Sequence, residues 1–241
     1  MPYTTAMPVI TVSGSLASGA REVARVVADR LGLEYVDHEI LIEAARELGV
    51  AVAAVERRDE RRSSMGERLA SVMRTLMERS AAAGTADPMS GGGLETVLAR
   101  SYGEAAELAA ATQGQLDDES YIKTLTSVIK GLAARGNIVI LGRGSQAILQ
   151  HHEDALHVWV AAPREWRIDN LMQREGIAQQ EAERRIDKSD KDRDAFHRHY
   201  FKVEPNAPAL YDLGINAARI DTETAASMIA MAAGLHTPKP G

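Results

Sequence analysis

The sequence predicts an α/β protein, a three-layer sandwich built on a parallel five-stranded sheet. Three observations lead there. Short apolar runs alternate with segments of helical periodicity along the chain, which is how parallel strands covered by crossover helices read. One run, Asn137-Ile138-Val139-Ile140-Leu141, is short and apolar throughout its body, as a central strand is. A third stretch, Pro8 to Glu22, passes from an apolar run through small residues into a helical pattern. It reads as strand, phosphate-sized loop, helix. Small residues let backbone N–H groups converge there, and the following helix aims its positive end at whatever they hold.

Composition narrows the class. A chain of 241 residues, 45% hydrophobic, can bury a full core and fits one large domain with an insertion. It has no cysteine, which excludes disulfides, thiol nucleophiles and cysteine-bound zinc. The start, Met1 to Pro8, lacks a basic stretch followed by a long apolar run, and no segment reaches the roughly 18 apolar residues of a membrane span. A cytoplasmic protein with no membrane partner is expected. The net charge of −6, with acids and bases interspersed, gives no basic field to recruit nucleic acid.

Taken in order, Val23, Val26, Val27 and Leu31 recur at helical spacing and Gly32 ends that helix. Leu33 to Asp37 suits a second strand with Asp37 at its carboxyl end, where ligands of open α/β sheets gather. Asp37 is equally an N-cap for a helix from His38. Helical patterns run from His38 to Leu48 and from Val50 to Arg58. Residues 59–115 then read as a helical insertion, with helices over Met65 to Ser80 and Leu94 to Ala111 around a Gly-, Pro- and Ser-rich break. Its apolar faces offer a substrate-side flap or a homo-oligomer contact. Its methionines, Met65, Met73 and Met77, read as packing.

A long helix is expected from Leu116 to Arg135, then the strand ending in Gly142-Arg143-Gly144 and a helix over Ser145 to Leu149. An arginine between glycines at a central strand's carboxyl end points into the same crevice as the first loop. Leu156 to Ala162 is the fourth strand and Pro163 opens the next helix. The charge-dense stretch Arg164 to Tyr200 is a solvated helix face, or a lid whose bases converge on a polyphosphate. His151, His152, His197 and His199 lack a third ligand at diagnostic spacing, so no metal site is assigned to protein side chains. A fifth strand lies within Tyr211 to Asp221, Thr222 caps, Thr224 to Leu235 is the last helix, and His236 to Gly241 is a disordered tail.

With these residues in view, the sequence resembles the cytidylate kinase-like family, a branch of the P-loop nucleoside monophosphate kinases. The likeness rests on Ser13 and Ala17-Ser18-Gly19-Ala20-Arg21-Glu22 in the first loop and on Tyr35 and Asp37 after the second strand. It continues in Leu141-Gly142-Arg143, Ala162-Pro163, Arg174-Glu175-Gly176, Asp190-Lys191-Asp192-Arg193 and Tyr211-Asp212-Leu213. Order and spacing together make it specific. Two departures stand out: Ala17 and Ala20 replace loop glycines, and Ala20-Arg21 stands where a standard P-loop carries Lys and Ser or Thr.

The resemblance implies one P-loop kinase-like domain over 1–241 with a lid over 174–202, and an ATP-dependent phosphotransferase whose simplest acceptor is CMP or dCMP. ATP and Mg²⁺ are the implied cofactors. Ser13, Gly14, Ser15, Ala17, Ser18, Gly19, Ala20, Arg21 and Glu22 would hold the donor phosphates, with Arg21 replacing the lysine as a bidentate, permanently charged clamp. Asp37, Arg143 and Arg174 would serve the acceptor, and Lys191 and Arg193 would close over the phosphates beside catalytic Arg21, Asp37 and Arg143. The missing lysine and hydroxyl also fit a nucleotide-binding regulatory protein without turnover, and the insertion leaves room for another small acceptor.

Overall fold

The computed structural model describes residues 8–37 and 118–235. The expected helices over 38–58, the insertion and the tail lie outside the described residues. The chain divides into two compact units, one of residues 1–36 and 135–241, the other of residues 37–134.

The first unit carries a five-stranded, all-parallel sheet. Its strands are β1 (Val9–Gly14), β2 (Glu34–Val36), β3 (Ile138–Leu141), β4 (Ala155–Ala161) and β5 (Leu213–Asn216), in the order β2-β3-β1-β4-β5. The parallel α/β prediction is correct. β1 lies at the centre, with Val12 in register with Leu141 of β3 and Val158 of β4. Alternation does the sorting. Ile10, Val12, Val139, Leu141, Leu156, Val158, Val160 and Ile215 share one face and pack with Val23, Val27, Ala225 and Ile229. These last residues belong to α1 (Ala20–Leu31) and to the final helix (Thr222–Leu235). Each fully buried Val, Leu or Ile side chain there stabilises the fold by about 1.5–3 kcal/mol. The opposite face of β1 and β4 is more polar: Thr11 Oγ1 and His157 Nδ1 meet at 2.7 Å, buried.

Gly32 ends α1 in the left-handed region, its N–H donating to Ala28 O and Asp29 O, so the sequence's stop signal is the actual one. α2 (Asp118–Arg135), which lies in the second unit up to Ala134, buries Leu125, Val128, Ile129, Leu132 and Ala133, one helical stripe. α3 (Ser145–Ile148) follows the Gly-Arg-Gly turn. α4 (Arg164–Glu175) and α5 (Gln179–Phe196) pack on each other, and α5 runs on into a π-helical turn, His197–Phe201. The last helix, α6, begins at Thr222, but its cap is Asp221 rather than Thr222. Asp221 Oδ1 accepts the Thr224 N–H at 2.9 Å and Oδ2 the Thr224 hydroxyl at 2.8 Å. Those two bonds hold its carboxyl below the ordinary range.

Candidate functional site

The site is built from the loop between β1 and α1. Ser18 N–H donates to Ser15 O at 3.1 Å, closing a turn whose third residue, Ala17, sits at φ 61°. That is the left-handed slot a type II turn normally gives to glycine. Alanine there costs about 1 kcal/mol or more. Ala20, the other replaced glycine, has no such burden: it is the buried first residue of α1, and the left-handed residue before it is Gly19, at φ 85°. Gly19 provides no side-chain cap, so the first-turn N–H groups of α1 face outward as an anion would need them. Gly14 must be glycine for a different reason. A Cβ there would stand 2.6 Å from Ala20 Cβ and 2.8 Å from Val160 O, and would also strike Ser18 Oγ. The Ser18 hydroxyl is buried without a hydrogen-bond partner, an orphan aimed within the loop.

α4 backs this loop. Asn170 Nδ2 donates to Ala17 O at 2.9 Å and Arg167 Nη1 to Leu16 O at 3.4 Å, while Arg167 binds Asp190 of α5 through both nitrogens, at 2.9 and 2.7 Å. Trp166 and Ala217, the latter just past β5, flank Gly19. Neither Asn170, Arg167 nor Trp166 announces itself in the sequence. A single amide or indole on a helix carries no spacing signal, and Arg167 differs in print from its neighbour Arg164 only by phase.

The Gly142-Arg143-Gly144 turn lies beside the loop, since Gly142 N–H donates to Val12 O at 2.9 Å. All three residues have positive φ, at 74°, 56° and 69°. The two glycines adopt this freely, whereas Arg143 between them is strained backbone of the kind that collects at functional sites. Arg143 is only 5% exposed. The ring of Phe201 packs on Gly144 so closely that a Cβ would meet its Cζ at 2.8 Å.

Among the described residues Arg193 is the largest fully buried side chain, 1% exposed. Its guanidinium donates to Asn206 Oδ1 at 2.7 Å, Pro205 O at 3.2 Å and Ser13 Oγ at 3.3 Å, all neutral acceptors. Among the described residues no carboxylate pairs with it, and its Nε has no hydrogen-bond partner. An uncompensated buried cation costs several kcal/mol, so this charge calls for an anion nearby. Next along the helix stripe, His197 Nδ1–H donates to Arg193 O at 2.8 Å, leaving Nε2 to accept from Gln146 Nε2 at 3.1 Å. Burial, with the charge of Arg193 adding to it, pushes the His197 pKa down to about 4.

The remaining predicted residues scatter. α5 buries Ala182, Ile186, Ser189 and Arg193 on one stripe, so Lys191, two positions away, is exposed. It does not converge with Arg193. Nor do the other bases of the charged stretch gather on one point. Arg164 pairs with Asp187, Arg184 with Glu181, Arg185 with Glu175 and Glu181, and Arg198 with Glu204. Most of the run is thus an ion-paired surface, as the plainer of the two sequence readings has it. Arg174 faces Glu22 at 3.2 Å and Glu175 at 3.6 Å. Arg21 is half-buried in the first turn of α1, and Ser13 and Ser15 bracket Gly14. Asp37 is buried, follows directly on Val36 of β2 and opens the second unit. Among the described residues no three His, Cys, Asp or Glu side chains are grouped to hold a metal, and no helix is long and apolar enough to cross a membrane.

A parallel sheet whose central strand feeds a phosphate-sized loop and an uncapped helix, with arginines at its carboxyl rim, defines the chain as an α/β protein of the P-loop kinase type. The family model of the cytidylate kinase-like family matches residues 9–219, and the chain belongs to that family. Over 95 residues it is 30% identical to a cytidylate kinase of Methanopyrus kandleri. That match takes in 36% of this chain and 49% of the relative, so the chain spans about half the length of the curated protein it resembles. A crystal structure of a protein from Eubacterium ventriosum has the same fold, with a TM-score of 0.59 at 17% identity, over 93% of this chain and 96% of that one. A shikimate kinase from Acinetobacter baumannii superposes with a TM-score of 0.43 at 14% identity, over 92% and 90%.

Proposed function

We propose that the protein is an ATP-dependent phosphotransferase acting on a pyrimidine nucleoside monophosphate, CMP or dCMP in the simplest case. The observation that carries this reading is Arg193, a buried guanidinium bonded only to neutral oxygens beside Ser13, at the mouth of the loop. Buried positive charge at the entrance to converging N–H groups suits a polyphosphate. The loop fits the group physically. Its helix N-terminus is uncapped and the Ser18 hydroxyl is an orphan.

Residues 13–22 then cradle the donor phosphates through backbone N–H groups, and Arg21 supplies the charge that lysine gives elsewhere. Arg143 holds the transferring or acceptor phosphate, Arg174 is available to the acceptor once it leaves Glu22, and Asp37 orients the acceptor. Arg193 fixes the field at the rim and Lys191 meets the phosphates from solvent when residues 174–202 close as a lid. ATP would supply the phosphoryl group, and Mg²⁺, held chiefly by phosphate and water with a loop serine, would neutralise its charge. The work left to the chain is positioning and charge stabilisation.

A second reading has its own observation. Ala20 is buried and presents no functional group where the lysine would reach out, which suits a nucleotide-binding regulator without turnover. In this reading the region 59–115 contacts a partner or a second copy.

A coupled ADP-release assay with ATP, magnesium and CMP, dCMP or UMP tests the proposal, with calorimetric binding of ATP alongside. Turnover with a pyrimidine monophosphate, lost in Arg21→Ala together with at least about tenfold in ATP affinity, is the expected result. ATP binding without turnover on any acceptor selects the regulatory reading, and no binding by folded protein sinks both.

A further inference from the structure

We infer that Asn170 of α4 is a positioning residue for the phosphate loop and offsets the cost of alanine at position 17. The inference rests on the nucleotide-binding reading above. In the Ser15–Ser18 turn the third residue must adopt positive φ, and here it carries a methyl group. What holds it there is one turn of α4. Asn170 Nδ2 donates to the Ala17 carbonyl at 2.9 Å, and the Ala17 methyl is buried among Ile168, Leu171, Ala182 and Ile186. Arg167 secures the preceding carbonyl, of Leu16, at 3.4 Å.

The consequence for the ligand follows from peptide planarity. In a trans peptide the C=O of one residue and the N–H of the next point in opposite directions. Binding the Leu16 carbonyl to α4 therefore turns the Ala17 N–H away from α4, toward the side on which a phosphate would lie. Binding the Ala17 carbonyl to Asn170 keeps the Ser18 N–H on Ser15 O and the turn closed. The loop's donors are thus aimed by a helix that does not itself form the cradle. A glycine at 17 would adopt the same backbone without assistance, so the need for Asn170 arises from this chain's departure at that position.

A double-mutant cycle tests the inference. ATP and ADP affinities are measured calorimetrically for the full chain, for Asn170→Leu, for Ala17→Gly and for the double variant, with melting temperatures and amide exchange at Ser18 recorded for each. Asn170→Leu is expected to weaken nucleotide binding about tenfold and to speed Ser18 exchange. In the Ala17→Gly background the same substitution should cost no more than about threefold. If Asn170→Leu melts well below the parent, Asn170→Asp, of equal size but without the donor, replaces it. Melting loss in both with unchanged affinity would make Asn170 a structural post and overturn the inference. So would equal affinity losses in the two backgrounds, or none in either. Failure of the parent chain to bind nucleotide at all would instead remove the functional reading on which the inference stands.

Discussion

Replacing Arg193 by methionine separates a functional charge from a structural one. The guanidinium is 1% exposed and its described partners are all uncharged, so the folded state carries its desolvation without the return of an ion pair. Substitution leaves three acceptors behind, but two of them are provided for. Pro205 O also accepts from the Tyr211 hydroxyl at 2.6 Å, and Asn206 is exposed to water. Ser13 Oγ alone loses a buried donor, at a cost of about 1 kcal/mol for a hydroxyl that can reorient. Removing a poorly compensated buried charge in favour of a packed apolar chain of similar length is commonly neutral or worth about 1–4 kcal/mol of stability. The net expectation for Arg193→Met is a gain of about 0–3 kcal/mol, which for a chain this size raises the melting temperature by up to roughly 10 °C. Nucleotide affinity should fall at least about tenfold at the same time, because the field at the loop mouth is gone. Thermal melting followed by circular dichroism and calorimetric titration with ATP give both numbers. A melting temperature several degrees lower with unchanged affinity would refute the reasoning and make Arg193 a pin between α5 and β1.

Two further substitutions follow from the geometry. Gly14→Ala should cost about 1–3 kcal/mol, since Val160 O is backbone and Ala20 Cβ is fixed at the start of α1; urea unfolding checks the stability and nucleotide titration the expected loss of binding. The other concerns pH. His197 in the folded protein keeps a pKa of about 4, against an ordinary value of 6.5 in the unfolded chain. Falling pH therefore protonates the unfolded chain first. Stability from this residue is complete above about pH 6.5 and declines toward pH 4, by no more than about 3 kcal/mol. Urea midpoints measured across that window should fall less steeply in His197→Gln than in the parent, and identical slopes would show that the His197 site does not govern acid sensitivity.

Much of the fold was legible because its signals are local. The β1 run, the small residues after it, Gly32 and the Ile138–Leu141 strand each state their conformation within a few residues. The start of α6 was less so: Asp221 and Thr222 are adjacent, both cap well, and only the bonds to Thr224 choose between them. The charged stretch was ambiguous for a similar reason. Its periodicity marks a helix but not which stripe turns inward, and an arginine among aspartates and lysines is an unusual residue to bury. Ion pairs such as Arg164–Asp187 join residues 23 apart, so they exist only once α4 lies against α5.

The sequence by itself determined the parallel α/β plan, the phosphate-sized loop and the suspicion attached to Ala17, since strand runs, turn residues and missing glycines act over a few residues of chain. Tertiary structure alone decided that Arg193 is buried beside Ser13 while Lys191 is exposed, and that Asn170 holds the loop from behind. These depend on contacts between segments about 150 residues or more apart, such as Asn170 with Ala17 and Arg193 with Ser13. No local periodicity encodes such pairs, because the free energy that selects them comes from burial and hydrogen bonding of the assembled sheet and helices.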